Sequence, residues 1–584
     1  MKAWLMYSGR DLDPAREPTT AEQALRQDLE LGTLWSAMAA GDDYLAGQVQ
    51  QAMLAGLTSP EAIVYRQQIL ADAVAQPAVI RRLYDIAVAA VTGTRRGLFG
   101  LASSSPDALV YRSTQTLEMF TGQLKELRSV ADEHGRSFQS DGFRRFFAMI
   151  AAELDDAYLR TVDGHLKELA FRKGTLISAD LGPGNKGAGY VLREPRDQGW
   201  RDRLPLSGQP GFGFTVLDRD EAGQQALSDL RSRGLNGVAS ALAQACDHLL
   251  AFFTMLRAEL AFYIGGLNLR EALTAAGEPV CVPVPVAEEK LALSMRGLYD
   301  PALSLRLAGR AVGNDVEADG QRLIMITGAN QGGKSTFLRS VGLAQLMMQC
   351  GLFVAAESFT ASVSPGIFTH FPREEDAAME RGKLDEELSR MAAIADQLTA
   401  GSLLLANESF AATNEQEGSE IGRQIVRALL ESGVRVVFVT HLFDLAHSLY
   451  TTQGAEQGPN QEPNQEPNQE HSALFLRPER RDDGQRTFRL LPGEPQSTSY
   501  GPDLYRRIFG LSGPGPTGYP VPAWRTVDSR TISSGSNTIW RCRWVLPSVA
   551  SSISISMAAL PSWERGWRTE VSGTVAAAAK SMSS

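Results

Sequence analysis

The sequence predicts an α/β domain that is preceded by an all-α region, and three observations support this fold class. From about residue 20 to 175, apolar residues recur at three- and four-residue spacing with few helix breakers. From about 299 to 512, short apolar runs typical of buried strands alternate with helical segments. A G-x-x-x-x-G-K-S loop at 328–335 separates one such strand from one such helix, which is the arrangement of a P-loop domain.

Length, composition and charge are those of an ordinary globular chain. Its 584 residues exceed what one core accommodates, so two to four domains are expected. No apolar run reaches membrane length, and the four cysteines have neither metal nor disulfide spacing, which predicts a cytoplasmic protein without membrane association. The net charge of −10 argues against a protein that coats nucleic acid non-specifically, although a local basic surface is still compatible with it.

Changes in composition predict where the parts of the chain begin and end. Segments rich in Gly and Pro favour loops and short strands, whereas repeats such as GPNQEPNQEPNQE favour solvated insertions. The predicted parts are a first helical segment (1–175), a Gly/Pro-rich insertion with strand-like pieces (176–222), a returning helix with a connector (223–298), the α/β domain (299–512) with a loop insertion (453–471), and a disordered or atypical Ser-rich tail (513–584).

The P-loop predicts a nucleotide site. A strand from Leu323 to Ile326 leads into the loop, and a helix follows from Thr336. Loop glycines let backbone N–H groups face phosphates, and the helix N-terminus adds positive potential. Lys334 is expected to reach the β- and γ-phosphates and Ser335 to ligate Mg²⁺. The predicted ATP-binding residues of the loop are Gly328, Ala329, Asn330, Gln331, Gly332, Gly333, Lys334, Ser335 and Thr336.

Two later strands are predicted to end in catalytic residues. The apolar run 403–406 is followed by Asn407 and Glu408, and Glu408 is expected to act as the general base that activates water from a neighbouring strand. Asn407 stands where such strands usually carry a metal-holding Asp, so it is a candidate metal residue without charge, and a degenerate site is the alternative. The strand VRVVFVTH (434–441) ends in His441, a predicted γ-phosphate sensor, whereas His370 is interpreted as structural.

These motifs resemble the ATPase domain of the MutS mismatch-repair family. The matching segments are TGANQGGKSTFLR, SLLLANESFAATNEQEGSEIG, VVFVTHLFDLA and STSYG, and the helical region resembles the core and lever helices of that family. The resemblance implies an ABC-type P-loop ATPase that dimerises, each subunit completing the nucleotide site of the other. Asn414 stands where the family serine contacts the γ-phosphate of the partner subunit. The chain has no Phe-x-Glu tripeptide, which predicts a member without the N-terminal mismatch-reading domain.

The resemblance favours a DNA-binding ATPase that uses ATP and Mg²⁺. As a homodimer it would couple nucleotide state to binding of mismatched or structured DNA, in mismatch repair or recombination-related DNA maintenance, with a repair protein as a further partner. Hydrolysis is expected to be slow because of Asn407. The alternative is a nucleotide-gated dimeric scaffold that hydrolyses little ATP and acts through protein partners.

Overall fold

The computed structural model divides the chain into two compact units, Met1–Gly501 and Pro502–Ser584. The described residues are 1–13, 19–98, 105–172, 174–194, 213–328, 332–373, 382–456, 473–481, 486–495, 532–534, 537–544, 553–558 and 570–571.

Helices dominate the first half of the larger unit. Several begin at a polar residue whose side chain accepts a hydrogen bond from the first turn, as at Thr19, Asp42 and Ser59. The helices are α1 (Thr20–Asp28), α2 (Leu31–Ala39), α3 (Asp43–Leu54), α4 (Pro60–Ala75), α5 (Pro77–Leu98), α6 (Pro106–His134), α7 (Asp141–Glu153), α8 (Asp156–Leu169) and α9 (Glu221–Ala275).

Helix α9 is the longest helix, with 55 residues, and it packs along α5 and α6. Within the described residues, it is the one helix that is long and apolar enough to cross a membrane. In its most apolar window, 67% of the residues are buried inside the protein, as is usual for a core helix.

A short antiparallel hairpin precedes α9 in the segment predicted to contain strand-like pieces. Its strands are β1 (Leu176–Leu181) and β2 (Gly187–Arg193). Residues 195–212 of the same predicted insertion lie outside the described residues.

The second half of the larger unit alternates strands and helices. Its elements are β3 (Val284–Val286), β4 (Leu293–Leu298), α10 (Pro301–Leu307), β5 (Asn314–Glu317), β6 (Leu323–Ile326), α11 (Lys334–Gln349), β7 (Ser358–Ser362), β8 (Ile367–His370), α12 (Lys383–Ala395), β9 (Leu403–Asn407), α13 (Glu415–Glu431), β10 (Arg435–Val439), α14 (Phe443–Glu456), β11 (Ala473–Arg480) and β12 (Arg486–Pro492). The predicted loop insertion begins inside α14, and residues 457–472 lie outside the described residues.

These strands form two sheets. The larger sheet has the order β12–β11–β6–β10–β9–β8, in which β12 is antiparallel to its neighbour and the other pairs are parallel. The smaller sheet has the order β3–β7–β4–β5. Strands β3 and β4 lie before position 299, where the α/β pattern is predicted to begin. Both pair with β7, so they belong to this sheet rather than to a connector.

One hydrophobic core runs through the helical and the α/β halves. Helix α11 is buried almost all round, and its Leu343 shares a cluster with Leu405 of β9 and with Phe262 of α9. The cluster also reaches α5 and α6. Residues 1–501 consequently form one compact unit rather than separate helical and α/β domains.

The C-terminal unit contains strands where the sequence predicts a disordered or atypical tail. Its strands form an antiparallel sheet in the order β13 (Ile532–Ser534), β14 (Asn537–Trp544), β15 (Ile553–Ala558) and β16 (Glu570–Val571). The segment ISISMA of β15 alternates apolar and polar residues, which is the period of a strand. The disordered or atypical tail over 513–584 stays a prediction.

Candidate functional site

Three parallel strands end at the same edge of the larger sheet and bring the predicted site residues together. The P-loop follows β6, Glu408 follows β9, and Thr440 and His441 follow β10. Strand β10 lies between β6 and β9, so Glu408 comes from the second strand away from the P-loop. This differs from the prediction, which placed Glu408 on a neighbouring strand. The carboxyl ends of parallel strands are where open α/β sheets bind their ligands.

The P-loop turns sharply through two glycines with left-handed backbone angles. Gly328 has φ +114° and Gly333 has φ +89°. Residues other than glycine rarely adopt such angles. A Cβ atom at Gly328 would lie 2.8 Å from Cδ of Pro478, so the neighbouring strand also excludes a side chain there. The predicted residues Ala329, Asn330 and Gln331 lie outside the described residues.

Helix α11 begins at Lys334, two residues earlier than predicted, and this brings the lysine into its first turn. Gly332 is buried two residues before the helix, and Thr336 is half-buried in its first turn. The positive end of the helix is therefore directed at the loop that the sequence assigns to phosphates.

Lys334 is buried and lies between the loop and the hydrolytic strand. Its Nζ donates a hydrogen bond of 2.5 Å to the carbonyl oxygen of Gly328 and lies 3.7 Å from Oε1 of Glu408. Burial lowers the pKa of Lys334 below its ordinary value, and the Glu408 carboxylate opposes that shift. The amine and the carboxylate thus form an ion pair between the P-loop and the end of β9.

Ser335 and Asn407 meet beside this pair, although they are 72 residues apart in the chain. The Ser335 hydroxyl donates to Oδ1 of Asn407 at 2.9 Å. A hydroxyl and an amide oxygen are the hard oxygen donors that Mg²⁺ accepts, and Mg²⁺ usually adds water and substrate phosphates to a few protein ligands. Within the described ranges no group of three or more His, Cys, Asp or Glu could hold a metal. The Ser335 hydroxyl and the Asn407 amide oxygen fit Mg²⁺ as oxygen ligands.

Glu408 is fixed on its second oxygen by His441. Oε2 accepts hydrogen bonds from the backbone N–H of His441 at 3.0 Å and from the ring Nδ1 at 2.6 Å. Because a carboxylate only accepts, Nδ1 carries the proton in this contact. The hydrogen bond to Glu408 raises the pKa of His441. Strand β10 ends at Val439, so His441 lies two residues beyond the strand that was predicted to include it.

Asn414 caps helix α13 at an exposed position. Its Oδ1 accepts a hydrogen bond of 3.0 Å from the backbone N–H of Glu417, which leaves the amide N–H₂ group as the donor that can be offered to another molecule. The predicted role of Asn414 toward a partner subunit stays a prediction.

Phe488 is a site residue that sequence reasoning missed. It lies in β12 with a left-handed φ of +61°, and the residue is 47% exposed. Its carbonyl oxygen is 3.2 Å from the position that a Cβ atom of Gly333 would take. Strand β12 is held there by Asn314, whose Oδ1 accepts the N–H of Leu490 at 2.7 Å. An aromatic residue in an ordinary strand sequence carries no motif, so this contact could not be foreseen.

His370 lies against the turn that carries Glu408, although the sequence predicts a structural residue with no such setting. It ends β8 and is buried, and its Nδ1 lies 2.7 Å from Oγ of Ser409. Ser409 directly follows Glu408, which makes this contact part of the candidate site.

Comparisons with known proteins agree with the two halves of the structure. Residues 58–276 match the family model of the MutS2 N-terminal domain, and residues 324–470 match that of MutS domain V, a P-loop ATPase domain. The first match covers the helical half from α4 to α9, and the second covers the strands and helices around the P-loop.

Individual proteins similar to this chain carry the names MutS2 and MutS. An Endonuclease MutS2 from Thermomicrobium roseum is 31% identical over 56% of this chain and 40% of the relative. DNA mismatch repair proteins MutS from Chloroflexus aurantiacus and from a Thermotoga strain are 31% and 37% identical over 38% and 26% of this chain, and 23% and 19% of the relatives. The chain thus spans less than half the length of these curated relatives.

Proposed function

This chain is a member of the MutS family, and from that premise we propose that it is a DNA-associated ATPase that binds Mg²⁺–ATP and hydrolyses it within a homodimer of ABC type. The proposal for the whole protein goes beyond the matched segments. The nuclease activity in the name of the MutS2 relative is not carried over, because the aligned part covers only 40% of that protein.

The observation that carries the proposal is the approach of Lys334 to Glu408. Nζ and Oε1 are 3.7 Å apart at the edge of the sheet, and the pair joins the P-loop to a strand end that is far away in sequence. An ion pair between a P-loop lysine and a carboxylate can be purely structural, but a structural pair does not require the neighbouring contact of Ser335 with Asn407. The two contacts together support a site that binds phosphates on one side and a metal on the other.

In the proposed site, each residue acts on one part of the nucleotide. Backbone N–H groups of the P-loop and the N-terminus of α11 would bind the phosphates, and Lys334 would offset negative charge on the β- and γ-phosphates. Ser335 and Asn407 would hold Mg²⁺, which supplies charge neutralisation between the β- and γ-phosphates when it is bound. The exposed ring of Phe488, on the strand beside Gly333, is available for contact with the base.

Glu408 would act on the attacking water. Its Oε2 is held by two donors from His441, so the carboxylate orientation is fixed before the reaction. A proton would pass from water to the carboxylate while the water oxygen bonds to the γ-phosphorus, and the bond to the β-phosphate oxygen would break. His441 is half exposed, and its ring contacts Glu408. A change at the γ-phosphate that moves His441 would therefore also affect Glu408.

Dimerisation and DNA binding complete the proposal. The exposed Asn414 at the start of α13 would contact the nucleotide of the partner subunit through its amide. The helical half shares a core with α11, which gives nucleotide state a physical route to the helices that would hold mismatched or structured DNA. A repair protein is a further proposed partner.

Single-turnover hydrolysis of ATP tests the proposal. The wild type should exceed Glu408→Gln by about 10²-fold or more, since removal of a general base costs about that factor. Lys334→Ala should abolish nucleotide binding, measured by titration with a fluorescent ATP analogue. The rate should change when homoduplex, mismatched or branched DNA is added.

The same measurement separates the ATPase from a nucleotide-gated scaffold. The neutral amide of Asn407 beside Ser335 favours the scaffold, because it supplies no charge to the metal. If the wild type hydrolyses ATP no faster than Glu408→Gln while both bind it, the scaffold is the better description. Unchanged ATP affinity in Lys334→Ala would refute the nucleotide site itself.

A further inference from the structure

The turn that follows β9 holds two side-chain-bearing residues in a backbone conformation that they disfavour. Glu408 has φ +51° and Phe410 has φ +64°. Each left-handed residue of this kind costs about 1–3 kcal/mol and persists only where surrounding contacts fix it. The direction in which the Glu408 side chain leaves the backbone depends on this φ.

Ser409, between the two left-handed residues, is held by His370. Its Oγ lies 2.7 Å from Nδ1 and 3.0 Å from the carbonyl oxygen of His370. Both residues are buried, with exposed fractions of 2% and 1%. A buried hydroxyl with two short contacts to one residue is a specific attachment point, since leaving it unsatisfied would cost about 1–3 kcal/mol.

The far side of the His370 ring is fixed by α12. Nε2 lies 3.0 Å from the carbonyl oxygen of Glu387, and the guanidinium of Arg390 lies at 3.5 Å from the same nitrogen. The shorter contact is with an acceptor, so we assign the proton to Nε2. Burial lowers the pKa of His370 to about 4, so the ring is neutral at neutral pH. The single proton of the Ser409 hydroxyl is then donated either to the unprotonated Nδ1 or to the carbonyl oxygen of His370, both of which only accept.

Phe410 is held by the same two residues. Its backbone N–H donates to Oε2 of Glu387 at 2.9 Å, and its ring stacks on that of His370 with centroids 5.6 Å apart and planes 25° apart. Phe410 is fully buried. His370 and Glu387 thus hold Ser409 and Phe410, the two residues that directly follow Glu408 in the strained turn.

We propose that His370, Glu387 and Ser409 are positioning residues that hold this turn and so direct the Glu408 carboxylate at the attacking water. The inference rests on the proposed hydrolysis of ATP. The plain alternative is that the three residues only satisfy one another in the core, in which case their loss lowers stability and leaves the rate per folded molecule unchanged. Since a displacement of about 1 Å at a reacting group can cost 10²-fold in rate, the two interpretations predict different kinetics.

Ser409→Ala in the full chain is the principal test. We expect the affinity for ATP to stay within about twofold, because the P-loop is untouched, and single-turnover hydrolysis to fall about 10- to 100-fold. In a Glu408→Gln background the same change should cause no further loss, because the base on which it acts is already removed. His370→Phe keeps the ring stack but loses both nitrogens, and it should reproduce the result independently.

Thr369→Val is the matched control. Thr369 is a buried hydroxyl residue on the same strand as His370, and alternate residues of a strand face opposite sides of the sheet. Its variant should hydrolyse ATP at the wild-type rate, so that any general effect of removing a buried hydroxyl from β8 is separated from an effect on the turn.

Each outcome decides the inference. Slow hydrolysis with unchanged ATP affinity and no further loss in the Glu408→Gln background supports it. A wild-type rate in both Ser409→Ala and His370→Phe overturns it, as does a loss of ATP affinity that accounts for the slower rate, or a further loss in the Glu408→Gln background. If the wild type itself is no faster than Glu408→Gln, the proposed ATP hydrolysis fails and the positioning role fails with it.

Discussion

At the residue scale, the site is distinguished by an amide beside the P-loop serine. Oδ1 of Asn407 accepts a hydrogen bond from the Ser335 hydroxyl at 2.9 Å, and the side chain lacks the negative charge that an aspartate would have at this position. An amide oxygen accepts the same hydrogen bonds as a carboxylate oxygen but attracts a cation less strongly.

Asn407→Asp should therefore strengthen Mg²⁺ dependence. The added charge should lower the Mg²⁺ concentration at half-maximal ATP binding by about fivefold, the equivalent of roughly 1 kcal/mol, because charge-assisted contacts are about twice as strong as neutral ones. Titration of ATP binding with Mg²⁺ measures this shift. Asn185→Asp, a change on an exposed loop of the hairpin β1–β2, should leave the titration unaltered. An identical titration for Asn407→Asp would place residue 407 away from the metal.

At the element scale, the sequence predicted the strands and the P-loop but could not predict their spatial order. The strand from Leu323 to Ile326 was placed correctly, because an apolar run before a glycine-rich loop has few alternatives. The position of β10 between β6 and β9 was missed, because β10 comes last of the three in the chain and periodicity does not reveal which strand pairs with which.

Contacts made by unremarkable residues could not be predicted either. The partner of His370 is Ser409, 39 residues later, and neither belongs to a motif. Phe488 reaches the P-loop only because β12 pairs with β11, which in turn pairs with β6. Lys334, Ser335 and Glu408 were found because phosphate chemistry requires them at a fixed spacing from glycines and strand ends, whereas supporting contacts are set by tertiary packing.

Helix α11 is connected to the helical half at its C-terminal end by Arg66 of α4. This arginine is fully buried, and its guanidinium donates to the carbonyl oxygens of Met6 at 2.8 Å and Cys350 at 3.2 Å. Cys350 caps α11, whose other end begins at Lys334. The carbonyl at the end of a helix lacks an intrahelical partner and is stabilised by a cation.

Arg66→Met should destabilise the protein. Methionine keeps much of the aliphatic volume but leaves the carbonyls of Met6 and Cys350 without this donor, and we expect a loss of about 1–3 kcal/mol in the free energy of unfolding. Denaturant unfolding followed by circular dichroism measures it. Arg82→Met removes a surface ion pair with Glu133, in which both side chains are about half exposed, and should cost no more than about 1 kcal/mol. Equal stability of the two variants would contradict the connecting role of Arg66.

At the scale of the whole molecule, the N-terminal segment connects two helices of the helical half. Residues 1–13 lie across α4 and α9, where the hydroxyl of Tyr65 donates to the carbonyl of Trp4 at 2.7 Å and that of Tyr263 donates to the carbonyl of Leu5. The backbone N–H of Leu5 donates to Oε2 of Glu259 at 2.6 Å. Arg66 joins the same segment to α11. The structural order of the N-terminal segment is therefore coupled to that of the helix after the P-loop.

Glu259 makes the attachment of the N-terminal segment to α9 dependent on pH. The carboxyl group is fully buried, and its pKa is raised to about 7 from an ordinary 4.5, mainly by burial and in part by Asp11, although the Leu5 N–H opposes the shift. Between pH 4.5 and 7 the folded protein keeps a proton that the unfolded chain has lost. The contribution of this group to stability is therefore fully present below pH 4.5 and is lost as pH rises to 7, by roughly 3 kcal/mol in total.

Glu259→Gln should consequently match the wild type near pH 5 and exceed it at pH 8, by up to roughly 3 kcal/mol in the free energy of unfolding, because the amide never ionises. Denaturant titrations at pH 5, 6, 7 and 8 measure the difference between the two proteins, which cancels the titration of unrelated groups. Glu271→Gln alters an exposed carboxylate on the same helix and should stay within about 1 kcal/mol of the wild type at every pH. Parallel curves for Glu259→Gln and the wild type would mean that the buried carboxyl ionises as an exposed one does, and that the N-terminal segment is held equally firmly by a charged and by a neutral side chain.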